Sequence, residues 1–293
     1  MSLEDMVQNA VIKASTTYSQ DKLDVFKRAV LYEKSLGNSN AIWTLETMIR
    51  NEEIARKSKL PLCDDTGIPH VLVELGNNRQ LPENFIENIK NGIKKGLDNL
   101  PARPMAVKGS DLIRLEQSEG LYDEPSMIET APISIDSFDK NHIDYDEALE
   151  DEIHIHILLL GGGPEIRSKT YRVFHKHDNK VIIDETILWL KDSLKLLGCT
   201  PAIPVIGIGR THYEASHLMI KAMVYGNLNQ QSDTENYISN KLNQLNIGPM
   251  GLKGSITVLG TFLNIGPQRA SGVRIVSARP CCFVEPRKWT VKI

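Results

Sequence analysis

Residues Glu152 to Leu160 leave little choice of backbone conformation. The run Ile153-His154-Ile155-His156-Ile157-Leu158-Leu159-Leu160 is short, apolar and rich in β-branched side chains, and Gly161-Gly162-Gly163-Pro164 stops it. That combination specifies a strand in a packed sheet. The run is far too short to span a bilayer, and His154 and His156 interrupt it. Helical spacing precedes it: apolar side chains recur at Met6, Val7, Ala10, Val11 and Ala14, and again at Ile42, Leu45, Met48, Ile49 and Ile54. Leu3 to Lys57 are therefore expected to be helical. Pro61 and Pro69 punctuate the next stretch, and Val71 to Leu75 reads as a strand ending at Gly76. Pro82 to Leu100 returns to helical periodicity, and Pro101 to Tyr145, rich in Pro, Ser, Asp and Glu, reads as irregular with short strands. Further on, helices are expected over Ile182–Leu197 and Tyr213–Tyr225, and strands over Ser255–Leu263 and Gly272–Ser277. Strands alternating with helices give an α/β fold, here a helical N-terminal layer (1–60) beside a mixed β-sheet (61–293), read as a single domain. There is no internal repeat and no low-complexity tail.

Composition narrows the class. Hydrophobic content is 41% and charged content 24%, ordinary for a globular protein, and a net charge of −3 does not point to nucleic acid or an anionic membrane. Glu4 and Asp5 open the chain without an apolar stretch, so no signal peptide is expected and a cytoplasmic enzyme or enzyme subunit is the expected class. Four cysteines in such a chain are not a disulfide framework, because the cytosol keeps thiols reduced. They are buried structural residues, a nucleophile or metal ligands.

Their surroundings favour ligation. Cys63 sits in Pro61-Leu62-Cys63-Asp64-Asp65-Thr66-Gly67, Cys199 in Gly198-Cys199-Thr200-Pro201, and Cys282 in Pro280-Cys281-Cys282-Phe283. Each lies at the end of an expected element beside Gly or Pro, where backbone can curve round a ligand. Thiolates choose soft partners, zinc or iron–sulfur. A structural zinc site usually shows Cys-x2-4-Cys pairs, and the sequence has none. Three widely separated thiolates suit a [4Fe–4S] cluster with three irons tied down and the fourth open, and an open iron is a Lewis acid able to polarise a substrate hydroxyl.

These motifs carry a resemblance. Pro61-Leu62-Cys63-Asp64-Asp65-Thr66-Gly67 resembles the P-L-C-Q-D-T-G signature of class I fumarases and the related L-tartrate dehydratases. Cys199-Thr200-Pro201, followed by Gly207-Ile208-Gly209-Arg210-Thr211, is similar to that family's C-P-P … G-I-G-G-T. Asn246 to Gly254 is similar to its G-I-G-P-x-G-x-G-G, and Cys282-Phe283-Val284 stands in the place of its last cysteine. The matches run in order over roughly residues 60 to 287. The resemblance implies a [4Fe–4S]-dependent hydro-lyase with Cys63, Cys199 and Cys282 as ligands. It implies a catalytic or orienting role for Asp65, and substrate contacts from Asp64, Thr66, Arg210 and the backbone at Gly162 and Gly163. The family's β part, which brings the proton-abstracting hydroxyl and several substrate cations, has no counterpart here, so a separate β subunit in a heterodimer or heterotetramer is implied. The reaction is then of the fumarate hydratase type, malate to fumarate and water. Tartrate dehydration and a non-catalytic scaffold paralogue are the alternatives.

The departures bear on substrate. Asp64 replaces the usual Gln, a carboxylate that would repel a dicarboxylate unless protonated or paired, for instance with Arg210 or Lys253. Arg210 and Lys253 stand where glycine is usual, and the family's R-x-N-T-x-D-N segment has no clear match between Pro101 and Pro132. Each residue also has a plain structural reading. Asp65 can cap a turn, the triple glycine can be a sharp bend, and Gly207-Ile208-Gly209 before a helix can bind an anion at the helix N-terminus. His154 and His156, on one strand face, are expected to be satisfied or exposed rather than ligands. Cys281 is expected to be the buried neighbour of the true ligand, although the reverse assignment stays open.

Overall fold

The structure is a computed structural model that describes residues 1–140 and 145–293. In chain order it contains α1 (Leu3–Thr16), α2 (Gln20–Leu36), α3 (Ser39–Ser58), β1 (Ile68–Leu75), α4 (Phe85–Asp98), the short α5 (Asp111–Glu116), β2 (Ser134–Ser137) and β3 (Ile153–Leu160). Then follow α6 (Gly162–Glu165), β4 (Lys169–Phe174), α7 (Asn179–Lys195), β5 (Ile203–Gly209), α8 (His212–Tyr225), α9 (Asp233–Asn243), β6 (Phe262–Ile265), β7 (Val273–Cys281) and β8 (Arg287–Lys292). The fold is α/β with a helical N-terminal region, as expected. The expected irregular stretch Pro101–Tyr145 includes residues 141–144, which lie outside the described residues. Two compact units divide the chain: residues Met1–Thr17, Ile54–Gly161 and Arg287–Ile293 form the first, and Tyr18–Glu53 with Gly162–Pro286 the second.

In the first unit a sheet of order β2-β1-β3-β8 has β3 antiparallel to both its neighbours and β2 parallel to β1. Every residue of β3 is buried. Side chains alternate along a strand, so Ile153, Ile155, Ile157 and Leu159 share a face with Val71 and Val73, and that face packs against Val7, Val11, Ile89 and Ile93 of α1 and α4. The other face carries His154, His156 and, across the ladder, Glu74, which pairs with His154 in register. In the second unit the order is β4-β7-β5-β6, with β7 antiparallel to β4 and β5, and β6 parallel to β5. One face is covered by α7 and α9 through Ile187, Leu190, Leu194, Ile238 and Leu242.

One expected strand is corrected. Of Ser255–Leu263 only the end joins a ladder, as part of β6, while Val258 makes an isolated bridge to Ala202. Side chains take the donors a neighbouring strand would have taken: Glu33 accepts from the Ile256 N–H, Asn243 from those of Thr257 and Val258, and Gln231 from that of Thr261. The strand β7 in turn runs past Ser277 to Cys281, which leaves Cys282 just beyond its end.

Helices α1 and α4 meet at glycine. A Cβ at Gly92 would lie 2.7 Å from both the Glu4 carbonyl oxygen and the Val7 Cβ. Alanine is the better helix former by about 1 kcal/mol, but overpacking costs about 1–3 kcal/mol. Gly92→Ala should therefore lower stability by a net of up to about 2 kcal/mol in urea melts. An unchanged or raised midpoint would show that α1 gives way freely.

Candidate metal centre

Antiparallel pairing of β5 with β7 brings the start of one strand beside the end of the other, and cysteines lie at both. Cys281 pairs with Ile203, and the Phe283 N–H donates to the Cys199 carbonyl at 3.3 Å. The backbone turns at Gly198, whose φ of +78° suits glycine. Cys199 is exposed, Cys282 half-buried and Cys281 fully buried. Burial pushes the Cys281 thiol well above its ordinary pKa, and the Glu285 charge adds to the shift. Such a thiol behaves as a small apolar side chain. The glycine-rich segment after Asn246 wraps the same corner: Thr200 Oγ1 donates to the Gly248 carbonyl at 2.6 Å, and the Thr200 carbonyl accepts from the Met250 N–H at 2.9 Å.

Buried cations flank the pair. The Arg279 side chain is 1% exposed and bonds Glu285, 2% exposed, at 3.0 and 3.1 Å, while also pairing with Glu165 of α6. Lys22 of α2 is 2% exposed. Its ammonium donates to the carbonyls of Val284, Glu285 and Pro286 at 2.9, 2.9 and 3.3 Å. Burial lowers its pKa to about 8, and the charges of Cys282, Asp21, Cys281 and Glu285 oppose that shift. Sequence reading passed over both residues. A lysine between Asp21 and Asp24 on a helix looks solvated, whereas Arg279 inside an apolar strand was a visible sign of a buried charge.

In the first unit the Cys63 turn is built by hydrogen bonds from three directions. The Leu62 N–H donates to the Ser15 carbonyl at 2.9 Å, Thr66 Oγ1 to the Arg103 carbonyl at 2.7 Å, and Arg287 Nη1 to the Asp65 carbonyl at 2.6 Å. Asp65 Oδ1 accepts from the Gly67 N–H at 3.2 Å, the turn-capping geometry anticipated for it. Gly67 has φ +80°, and the Arg287 guanidinium stands where a Cβ would be. Cys63 is half-buried, and burial raises its pKa, with the Asp65 backbone and the Arg287 charge pulling the other way. The exposed Asp64 pairs with Arg103 at 3.4 Å, a partner not anticipated from sequence.

Arg210 pairs with Glu214 in the first turn of α8. Its guanidinium meets Glu214 at 2.6 Å, and Thr211 caps α8 by accepting from the Glu214 N–H at 3.1 Å. The carboxylate of Glu214 thus sits at the helix N-terminus where an external anion was considered. Gly207 and Gly209 have a packing reason, since a Cβ at either would strike the Ala215 backbone. Gly163, by contrast, has open space where its Cβ would be, and its carbonyl accepts from Arg167 Nη1 at 3.0 Å. Lys253 is exposed with φ +67°.

A second group could hold a metal ion. Glu74, His154 and His156 each offer a ligand atom within 4.8 Å of the others. His156 Nε2 bonds Glu74 Oε2 at 3.0 Å and its Nδ1 bonds Thr290 Oγ1 at 2.9 Å, while His154 Nε2 bonds Glu152. Burial lowers the His154 pKa.

A family profile described as fumarate hydratase (Fumerase) matches residues 4–292. A Methanocaldococcus jannaschii protein, named provisionally as an L(+)-tartrate dehydratase subunit alpha, is 30% identical over 272 residues, which cover 90% of this chain and 89% of that protein. The L(+)-tartrate dehydratase subunit alpha of Escherichia coli K12 is 24% identical over 288 residues, 95% and 87% of the two chains. A Geobacillus stearothermophilus protein, named provisionally as a class I fumarate hydratase, is 24% identical over 278 residues, 88% of this chain and 49% of that protein. Fold and relatives together define a hydro-lyase of the fumarate hydratase and tartrate dehydratase type. The chain belongs to the fumarate hydratase (Fumerase) family.

Removing one member of a buried ion pair leaves an uncompensated charge, at about 3–5 kcal/mol. Arg279→Met should cost that much in denaturant melts. The double variant Arg279→Met/Glu285→Leu should recover part of the loss, because no lone charge then remains inside.

Proposed function

We propose that this chain is the α subunit of a [4Fe–4S]-dependent hydro-lyase that reversibly dehydrates a small hydroxy-dicarboxylic acid together with a separate β subunit. The observation that carries the cofactor is the juxtaposition of Cys199 and Cys282, reachable thiols at one sheet corner beside two buried cations. Soft sulfur donors next to positive charge fit an anionic iron–sulfur group. Cys63 is the third ligand in this reading, and Cys281, sealed in the core, is not one. When bound, the cluster supplies a Lewis-acidic iron that polarises the substrate hydroxyl.

The chain's own residues position the acid. Arg103, beside Asp64, offers a guanidinium for a substrate carboxylate and offsets the Asp64 charge. Asp65 holds the Cys63 turn in shape, and Thr66 ties it to the Arg103 backbone. The open approach at Gly163 suits close contact between backbone and substrate. The β subunit brings the base. That partner is supported by length: the tartrate dehydratase α subunits match over most of their chains, while the fumarate hydratase relative is about twice as long as the match. The same comparison favours tartrate as the second substrate reading beside malate.

Prepared without oxygen, the protein should be brown, hold about four irons per chain and bleach in air, since one iron lacks a protein thiolate. Serine at Cys63, Cys199 or Cys282 should each abolish iron binding, and Cys281→Ala should retain it. Colourless or zinc-loaded protein from anaerobic cells would sink the cluster.

Recognition is tested in the complete enzyme by kcat/KM for tartrate and malate. Arg103→Ala should lower kcat/KM by at least about tenfold, through loss of the cation that meets the substrate carboxylate. Arg210→Gly should cost less, because Arg210 already serves Glu214. The reverse order would return substrate recognition to the Arg210 turn.

A further inference from the structure

The end of the second sheet opposite the cysteine corner surrounds a cavity of about 300 Å³. The strand β5 separates the two ends by seven residues, roughly 20 Å at strand rise. The polar wall of the cavity consists of His175, His177, Asn179, Thr234, Gln268 and Arg274; the rest is isoleucine. Among the described residues that line it there is a guanidinium and two imidazoles, and no carboxylate.

Two of these groups are buried without the partner their chemistry asks for. Arg274 is 2% exposed, and every hydrogen bond it makes goes to a neutral oxygen: the carbonyls of Pro267, Gly266 and Ile208 and the Gln268 side-chain amide. Those contacts occupy its terminal nitrogens and leave its charge unmatched. Glu214, the carboxylate that acts on it from a distance, is in direct contact with Arg210. Burial accordingly lowers the Arg274 pKa. His175 is 3% exposed, and its Nδ1 accepts from the His177 N–H at 3.1 Å, which leaves the ring proton on Nε2. That Nε2 is buried and has no hydrogen-bond partner among the described residues. A buried donor without an acceptor keeps the cost of its lost hydration. Beside both, Asn179 opens the seventeen-residue α7, whose N-terminus is already capped by the Asp178 carboxylate, which accepts from the Lys180 N–H at 2.9 Å.

We infer that this cavity is a second ligand site, which takes a small organic carboxylate with its anionic end between Arg274 and His175 Nε2 and its apolar body on the isoleucine wall. An inorganic oxyanion would use the donors and leave Ile182, Ile183, Ile208 and Ile265 uncovered. An uncharged body of the same size would use that wall and leave the guanidinium and imidazole unanswered.

The test is a titration of the full-length chain followed by histidine side-chain 1H–15N correlation spectra and thermal melts, neither of which depends on iron or turnover. Hexanoate should shift the His175 ring signals saturably and raise the melting temperature. Hexan-1-ol and inorganic phosphate should each bind at least about tenfold more weakly, a difference of 1.4 kcal/mol or more. Arg274→Met should weaken hexanoate by a similar factor. If that variant does not fold, the comparison of hexanoate with hexan-1-ol on the unaltered chain decides the matter. Equal binding of the alcohol, tighter binding of phosphate, or no saturable shift with hexanoate up to about 50 mM would overturn the assignment.

Discussion

The buried guanidinium of Arg279 organises the second unit. A charge in the interior survives only with partners of opposite sign in good geometry. Glu285 supplies one from the segment after β7, and Glu165 the other from the short helix after the triple glycine. The end of β7 with the turn after it is thereby obliged to meet a stretch 114 residues earlier in the chain. Lys22 works on the same segment from α2, gathering three successive carbonyls that have no sheet or helix to satisfy them. The chain from Cys281 to Pro286 is thus held by charge where hydrophobic packing would hold most loops, and it is this loop that carries Cys282.

Two adjacent cysteines acquire opposite characters from this arrangement. Cys281, last residue of β7, is sealed in the core, and its thiol is held in the neutral form by burial. Cys282, one position on, has left the ladder and stands at the edge of the core near a buried ammonium. The end of the strand does the sorting: every residue of β7 from Arg274 to Cys281 is buried, and Cys282 is the first residue beyond it.

Much of the fold was legible. The first three helices, β1, β3, α7 and α8 all announce themselves by period and punctuation. What escaped notice was weak by that same measure. The edge strand β4 is mostly polar and partly exposed. Helix α9 has only Ile238 and Leu242 as buried apolar residues, although the sequence Ser232-Asp233-Thr234-Glu235 does form a capping box. Residues 255–261 have strand composition, but Ile256, Thr257, Val258 and Thr261 give their backbone donors to side chains from elsewhere, a non-local choice that no window of sequence can reveal. The site divides in the same way. Cysteines beside Gly and Pro stood out, whereas the cations that support them, Lys22, Arg103 and Arg287, are defined by partners between 39 and 264 residues away.

The contact between Arg287 and the Cys63 turn has a consequence in time. Arg287 donates to the Asp65 carbonyl from 222 residues downstream and fills the space that the absent side chain of Gly67 leaves. During synthesis the Cys63 segment leaves the ribosome early, with its capping aspartate but without that guanidinium. At about 5–20 residues per second, ten seconds or more pass before Arg287 is made. Over that interval the first thiol lies on an unfinished turn, open to stray metal ions and oxidants. The turn is complete only when β8 has joined the sheet and Arg287 has closed it from behind.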